Sequence, residues 1–298
     1  MNILVTGSLG NISRILVEKL VAAAHNVKVI SSDADKVAAI QKLGATPLIG
    51  SVMDEDFVVK SFGGSDAVYL MIPPNFSTPD YGKFTATTGN NYANAVRKSG
   101  IKHVVNLSSA GSALAGKPPL DHYQNLEMWL DELSNMHVIH LRPGGFYSNF
   151  YGSMSMIKYQ SMIGNNFPDD RKLIMSHPAD IADAAVDAFN TLSFKGKNIK
   201  YIVSDVKNGK EIAAILGAAI QKPDLKWVEF TDAQLLQALM QNGFSKDAAQ
   251  HYIVDMGVAI REGILDRHYQ QNTHEVVGKR SFAEFASEFA QVYSEGKD

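Results

Sequence analysis

Two glycines three residues apart, Gly7 and Gly10, follow a short apolar run in the segment NILVTGSLGNISRILVEKL. The run before them has the pattern of a strand, and the residues after them have the apolar spacing of a helix. The first glycine permits a tight turn, and the second lets the backbone approach a pyrophosphate, which the free N–H groups and dipole of a helix N-terminus bind. Ser13 stands where a third glycine is expected and is small enough for close helix–strand packing. The segment predicts a dinucleotide-binding turn; the alternative is an ordinary strand–helix turn.

An acidic residue, Asp33, follows the second apolar run in ISSDADK. After the second strand of a dinucleotide-binding fold, a carboxylate accepts hydrogen bonds from the adenosine ribose and repels a 2′-phosphate. The cofactor predicted is therefore NAD or NADP, with NAD favoured, although Lys36 is near enough in sequence to bind a phosphate. The alternative is that Asp33 only caps the next helix.

The elements that must position these residues alternate between β-rich runs and helical patterns, which is typical of a parallel sheet with helices on both faces. The predicted strands are Ile3–Val5, Val27–Ile30, Thr46–Leu48, Ala67–Met71, His103–Leu107 and Val138–Leu141. The predicted helices between them are Ile12–Ala23, Asp35–Leu43, Asp54–Phe62, Lys83–Lys98 and His122–Ser134. The predicted fold class is α/β, with a Rossmann-type doubly wound parallel sheet.

After about Asn149 the pattern becomes mostly helical, with only short strand-like pieces such as IKYIVS. We therefore predict an NAD(P)-binding domain over residues 1–150, to which residues 172–204 return, and a smaller, mostly helical substrate lobe over residues 151–298. The polar stretch 266–279 is expected to be a loop.

The composition argues against several classes of function. The 298 residues include 28 basic and 31 acidic residues, a net charge of −3 that gives no sign of nucleic-acid binding. The absence of cysteine excludes disulfides, thiolate metal ligands and a cysteine nucleophile. The histidines have no metal-ligand spacing, so no metal site is predicted. No apolar run is as long as a membrane span and the chain starts in a strand pattern, so a cytoplasmic protein without a membrane partner is expected.

Four segments, ILVTGSLGNIS, HVVNLSSAG, HLRPGGFYSNF and SHPADIADAA, resemble the NmrA-like branch of the atypical short-chain dehydrogenases/reductases. The resemblance implies a nicotinamide dinucleotide cofactor, and similar NADP-binding proteins carry arginine where this chain has Ser32. It implies contacts to the pyrophosphate from Gly7, Leu9, Gly10, Asn11 and Ile12, and contacts to the adenosine ribose from Ser32 and Asp33. It implies contacts to the adenine from Ser51 and Val52, and contacts to the middle of the cofactor from Met71, Ile72 and Pro73. Near the nicotinamide it implies contacts from Ser108, Pro143, Gly144 and Phe146. For the strand-end residues the alternative is ordinary packing.

The segment DHYQNLEMWL departs from the related dehydrogenases, which carry Tyr-x-x-x-Lys on this helix. Here Tyr123, the candidate catalytic residue, is followed four residues later by Glu127. Because a nearby carboxylate raises the pKa of a tyrosine, we expect Tyr123 to donate a proton or a hydrogen bond but not to act as a stabilised phenolate. Alcohol oxidation and sugar-nucleotide epimerisation are therefore disfavoured; the alternative is that both side chains are surface groups. Asp180, in HPADIADAA, is expected to cap a helix and tether the lobe.

A conjugated acceptor whose reduced form takes its proton from water needs no tuned tyrosine, and quinones and triphenylmethane dyes are of this kind. Four aromatic residues are the predicted substrate contacts, with packing in the lobe as the alternative: Phe76, Tyr81, Tyr147 and Phe150. The sequence thus favours an NAD(P)H-dependent oxidoreductase acting on a quinone-like small molecule. The other hypothesis, which the resemblance also allows, is a non-catalytic NAD(P) redox sensor acting through a protein partner. A monomer or homodimer is expected in both cases.

Overall fold

The computed structural model describes residues 1–113, 121–273 and 275–296 of the chain. The chain divides into two compact units. The first contains residues 1–75, 80–142 and 181–200, and the second contains residues 76–79, 143–180 and those from 201 onward. The segment 172–204 is thus shared between the two units.

The central sheet has seven strands among the described residues, in the order β10-β6-β5-β4-β1-β2-β3. Its strands are β1 (Asn2–Val5), β2 (Asn26–Ser31), β3 (Thr46–Ile49), β4 (Ala67–Leu70), β5 (His103–Leu107), β6 (His137–Pro143) and β10 (Lys197–Ile202). The first six strands pair in parallel. The strand order reverses between β1 and β4, and in open α/β sheets ligands bind at such a reversal, beside the carboxyl ends of the strands. The predicted fold class is confirmed, and each predicted strand occurs within one or two residues of its expected ends.

Helices pack on this sheet through an apolar core. The helices of the first half are α1 (Ser13–Ala22), α2 (Val37–Lys42), α3 (Glu55–Phe62), α4 (Tyr81–Ser99) and α5 (Asp121–Asp131). Strand residues Leu4, Val68 and Val104 lie in one buried cluster with Val96 of α4 and Leu126 of α5. Burial of each large apolar side chain stabilises the fold by about 1.5–3 kcal/mol, so this cluster fixes the sheet that carries the strand ends.

The second unit contains smaller sheets and its own helices. Its described strands are β7 (Gly145–Phe146), β8 (Met162–Asn165), β9 (Lys172–Ser176), β11 (Asp205–Asn208) and β12 (Lys226–Glu229), which form the sheets β11-β9-β7 and β12-β8. Its helices are α6 (Met154–Gln160), α8 (Gly209–Ala219), α9 (Asp232–Gln241), α10 (Lys246–Ala248), α11 (Asp255–Arg261), α12 (Arg267–Asn272) and α13 (Phe282–Ser294), while α7 (Pro178–Thr191) runs from this unit into the first. An aromatic cluster that includes Tyr147, Phe282, Phe285 and Phe289 forms its core.

Two details differ from the sequence prediction. The expected helix Asp35–Leu43 is divided into a 3-10 turn (Ala34–Lys36) and α2, because the Asp33 side chain caps the 3-10 turn by accepting from the Asp35 N–H. The prediction of a loop over residues 266–279 is wrong for Arg267–Asn272, which form α12. Tyr269 of α12 is only 1% exposed, so burial of its ring stabilises a helix that the polar sequence hides. His274, in the same stretch, lies outside the described residues.

Asp180, expected from the sequence to cap a helix and tether the lobe, lies in the first turn of α7, and its contacts are with residues of the second unit. Its carboxylate accepts hydrogen bonds from the Ser204 hydroxyl (2.6 Å) and from the backbone N–H groups of Lys279 (3.1 Å) and Arg280 (3.2 Å). The buried carboxylate therefore holds the segment that leads into α13.

Across the described ranges, no helix is long and apolar enough to span a membrane.

Candidate functional site

The turn after β1 has no room for a side chain at its first glycine. Gly7 adopts a left-handed conformation (φ +87°), and a Cβ there would lie 2.3 Å from Cε of Met71 and 2.9 Å from Oγ of Ser13. Ser13 replaces the third glycine of the motif with a specific contact, because its hydroxyl donates to the Thr6 carbonyl at 3.1 Å and the residue is 1% exposed. The turn is therefore as tight as the sequence predicted, and Ser13 locks helix α1 onto β1.

Helix α1 begins behind this turn without a side-chain cap. Its N-cap residue is Ile12, no side chain accepts a hydrogen bond there, and the first turn holds no acidic residue. The helical bonds start with Arg14 N–H donating to the Gly10 carbonyl at 3.0 Å, and the N–H groups that precede it in a helix have no intrahelical acceptor. Gly10 and Asn11 are exposed, whereas Ile12 and Ser13 are buried, so an anion can approach this helix end from the side of Gly10 and Asn11.

The end of β2 lies beside the same turn. The Ser8 N–H donates to the Ile30 carbonyl (3.0 Å), and the Ser8 hydroxyl donates to the Ser31 hydroxyl (2.9 Å). Asp33 and Ser32 are exposed just beyond, and Oδ1 of Asp33 caps the 3-10 turn by accepting the Asp35 N–H at 2.9 Å. A carboxylate accepts hydrogen bonds at both oxygens, so the cap leaves Oδ2 of Asp33 with acceptor capacity for a ribose hydroxyl.

The segment after β4 forms the other wall of the turn. The Met71 N–H donates to the Thr6 hydroxyl (2.7 Å), and the Tyr92 hydroxyl donates to the Met71 carbonyl (3.1 Å). Burial raises the pKa of Tyr92, which keeps this donor protonated. Ile72 is 6% exposed and belongs to the core, whereas Pro73 is half-buried. The structure thus brings Met71 against Gly7 and gives Ile72 a packing role.

Two more strand ends carry predicted contacts. After β3, Ser51 is exposed and its hydroxyl accepts the Met53 N–H, while the Val52 carbonyl accepts from the Asn91 amide at 3.0 Å. After β5, Ser108 is buried, and its hydroxyl is paired with that of Ser112 at 2.6 Å. Ser51 is thus open to solvent at the end of β3, whereas Ser108 belongs to a buried hydroxyl pair.

The position four residues after Tyr123 carries a buried ion pair. Glu127 on α5 accepts two hydrogen bonds from Arg142 at the end of β6, at 3.0 Å from Nε and 2.6 Å from Nη2. Both residues are 5% exposed. Tyr123 is half-buried one helical turn earlier. The negative charge that the sequence placed beside Tyr123 is therefore matched by a guanidinium within the same unit.

Sequence reasoning missed Arg142 as the partner of Glu127. A signal was present, since an arginine inside the apolar run HVIHLRP must be paired if the strand is buried. The periodicity of α5 does not show which carboxylate supplies that partner.

Pro143, Gly144 and Phe146, predicted near the nicotinamide, belong to the second unit. A Cβ on Gly144 would lie 2.2 Å from the Ile174 carbonyl oxygen, so only glycine fits there. The Gly144 N–H donates to the Ser176 hydroxyl at 2.9 Å. Pro143 is buried and Phe146 is half-buried in β7, so this segment is fixed by close packing.

The four predicted substrate contacts occupy different environments. Tyr147 is 0% exposed in the core of the second unit; its hydroxyl donates to the Arg280 carbonyl, and burial together with nearby carboxylates raises its pKa. Tyr81 is 3% exposed at the start of α4. Both side chains are therefore packed inside the protein, and substrate contact at these two residues stays a prediction. Phe150 is partly buried against Phe282, and Phe76 keeps 38% of its surface exposed.

No group of three or more His, Cys, Asp and Glu side chains that could hold a metal ion occurs in the described part of the chain. The glycine turn, the uncapped start of α1 and the exposed residues after β2 and β3 lie in the first unit.

Comparison with known proteins gives one family. The model of the NmrA-like family matches residues 1–286. Among curated proteins, none matches this sequence.

Three solved structures share the fold. A nucleoside-diphosphate-sugar epimerase from Staphylococcus aureus has a TM-score of 0.78 at 17% identity, over 96% of this chain and 100% of its own. An NADPH-dependent quinone oxidoreductase from Escherichia coli, in complex with NADPH, has a TM-score of 0.77 at 20% identity, over 96% and 99%. The triphenylmethane reductase of Citrobacter sp., in complex with NADP(H), has a TM-score of 0.77 at 17% identity, over 97% and 100%.

Proposed function

This chain belongs to the NmrA-like family, and from that premise we propose that it is an NAD(P)H-dependent oxidoreductase that reduces a quinone-like or other conjugated small molecule by hydride transfer. The observation that carries the proposal is the glycine turn in front of an uncapped helix, since it offers backbone donors to a pyrophosphate and no side chain that competes for them.

The residues present fit a nicotinamide dinucleotide. The N–H groups at Asn11 and Ile12 would hold the pyrophosphate, and the exposed Asp33 would accept hydrogen bonds from the adenosine ribose. Val52 would lie against the adenine, and Met71 would support the middle of the cofactor from its place beside Gly7. Asp33 favours NAD in this proposal, because its charge repels the 2′-phosphate of NADP.

The chemistry of the site narrows the substrate. The bound nicotinamide would supply the hydride, and the chain would orient the acceptor and exclude water from it. The position four residues after Tyr123 is occupied by Glu127, which pairs with Arg142, and α5 contains no lysine or arginine that could stabilise a Tyr123 phenolate. Tyr123 then serves as a neutral donor, and the acceptor is one whose reduced form can be protonated by water.

Two of the similar structures support this class of reaction, since they are a quinone oxidoreductase and a triphenylmethane reductase with bound NADPH or NADP(H). The epimerase of the same fold represents the competing chemistry. Epimerisation by the dehydrogenase route uses a stabilised phenolate, and this chain has Glu127 where that route has its lysine.

The experiment that tests the proposal combines binding with turnover. The oxidised and reduced forms of both NAD and NADP are titrated into the protein by calorimetry. Turnover is measured as the decrease in absorbance of NADH or NADPH in the presence of each member of a panel of quinones and triphenylmethane dyes. Turnover with at least one acceptor supports the proposal. Binding without turnover on the whole panel rejects it in favour of a redox sensor with a protein partner, and absence of binding rejects both.

A further inference from the structure

Three aromatic side chains of the second unit form a cluster in which one ring stays partly in water. The ring centroid of Phe76 lies 4.5 Å from that of Phe244, with 28° between the planes, and 5.4 Å from that of Tyr252. Phe76 is 38% exposed. In the described part of the chain, only Phe76 and Tyr159 are exposed Phe, Tyr or Trp side chains. Phe76 thus presents an aromatic surface that is backed by two further rings.

The backbone under Phe76 is held in place. The Ser245 N–H donates to the Phe76 carbonyl at 2.8 Å, and the Ser245 hydroxyl donates to the Thr78 carbonyl at 2.5 Å. Ser245 is itself the N-cap of α10, where its hydroxyl accepts the Ala248 N–H at 3.0 Å. The backbone that carries the exposed ring is therefore fixed by hydrogen bonds, which lowers the entropy lost when a ligand binds there.

Tyr252 reaches the cluster from an irregular helical turn. Residues Ala249–Val254 form a π-helical turn between α10 and α11. Such turns are rare and occur frequently at functional sites, because they displace side chains from the positions that a regular α-helix would give them. The third ring of the cluster is thus carried by a π-helical turn.

Polar groups lie on the neighbouring residues of the same segments. A cleft of about 580 Å³ is lined by Pro79, Ser245, Lys246, Asp247, Gln250 and His251. Binding sites for small molecules have volumes of roughly 300–1,000 Å³ and combine apolar surface with a few polar groups. Polar side chains thus lie on the segments that carry Phe76, Phe244 and Tyr252, and two of them, Gln250 and His251, also bond to Asp255.

We propose that Phe76, Phe244 and Tyr252 form the platform on which the planar, conjugated acceptor stacks, and that these residues set the preference for acceptors with a large aromatic face. Flat rings gain from offset stacking on an aromatic surface, whereas aliphatic carbonyl compounds do not. In the sequence, Phe76 follows Pro73 of the predicted cofactor segment by three residues. The inference rests on the proposed function for its reaction and adds the residues that choose the substrate.

The test compares Phe76→Leu and Phe244→Leu with the wild type, using 1,4-naphthoquinone and the smaller 1,4-benzoquinone as acceptors. Leucine keeps an apolar side chain but removes the aromatic face. Loss of one stacked pair raises the KM for naphthoquinone about three- to tenfold, with a smaller rise for benzoquinone. The kcat and the calorimetric Kd of NADH remain within about twofold, because neither side chain belongs to the predicted cofactor turn. The chain has no cysteine, so no thiol consumes the quinone.

The control is Tyr159→Leu, which removes the other exposed aromatic ring, 72% exposed on α6. An equal rise of KM in this variant, or no rise in both platform variants, overturns the inference. Naphthoquinone binding is also titrated directly by calorimetry. If the wild type binds naphthoquinone and NADH without turnover, the proposed reaction is wrong. In that case, weaker binding of naphthoquinone to Phe76→Leu still supports the platform, and unchanged binding rejects the platform.

Discussion

Replacement of Gly10 by alanine separates cofactor binding from folding in this chain. Gly10 is exposed and lies outside the left-handed region, and a Cβ built there would meet only the Gly7 carbonyl oxygen, at 3.4 Å. That distance is an ordinary van der Waals contact. The folded protein can therefore accept the extra methyl group, and we expect Gly10→Ala to change the free energy of unfolding by less than about 1 kcal/mol.

The same methyl group obstructs a pyrophosphate at the start of α1. If it displaces the phosphate from one backbone N–H, one hydrogen bond to a charged group is lost. Such a bond is worth about 1.5–3 kcal/mol, and this corresponds to a Kd for NADH that is about 10- to 150-fold higher. The variant should thus melt like the wild type and bind NADH much more weakly.

The assay is calorimetric titration of NADH, with thermal unfolding measured on the same samples. Gly152→Ala is the matched control, because no atom lies within 4 Å of its added Cβ and it is far from the turn in sequence. Gly7→Ala provides the contrast, since its Cβ would lie 2.3 Å from Cε of Met71 at a φ of +87°, and it should lose stability as well as affinity. Affinity of Gly10→Ala within about twofold of wild type would refute the reasoning that this turn holds the pyrophosphate.

Three further results are expected. Asp33→Asn keeps the cap on the 3-10 turn but removes a negative charge, so the ratio of NADPH affinity to NADH affinity, measured by calorimetry, should rise at least about fivefold. The control, Asp35→Asn, should leave this ratio unchanged. Glu127→Leu removes the carboxylate that pairs with the buried Arg142, and urea denaturation should show a free energy of unfolding that is lower by about 3–5 kcal/mol. The double variant that also carries Arg142→Met should regain most of this stability. A Glu127→Leu variant as stable as the wild type would contradict the buried pair. Burial lowers the pKa of His103 below its usual 6.5. The unfolded chain therefore binds more protons than the folded chain just below about pH 6.5, and the free energy of unfolding falls as the pH decreases through that range. The drop in melting temperature between about pH 7 and about pH 5 should be smaller in His103→Gln than in the wild type.

The parts of the fold that follow local rules were predictable from the sequence. The strand β4 reads as the apolar run AVYL because parallel strands are buried on both faces, and the Gly7 turn is recognisable because a strand, a glycine and a helix occur in fixed order. The short strands of the second unit were not predictable, since two- to five-residue strands such as β7 are stabilised by their partners and not by their own composition. The helix α12 was missed for the same reason: burial of Tyr269 outweighs a polar sequence.

The chemistry near Tyr123 shows why spacing alone was insufficient. The sequence places Glu127 one helical turn after the tyrosine, and taken by itself this carboxylate opposes ionisation of the phenol. The structure adds Arg142, whose guanidinium reaches the same carboxylate from β6, fifteen positions further along the chain. A buried pair of opposite charges has a far weaker field than a single charge, so a bare carboxylate does not describe this part of the molecule. Reasoning from helix spacing therefore identified the residue that replaces the lysine but not the guanidinium that neutralises it, because that partner comes from a strand and not from the same helix.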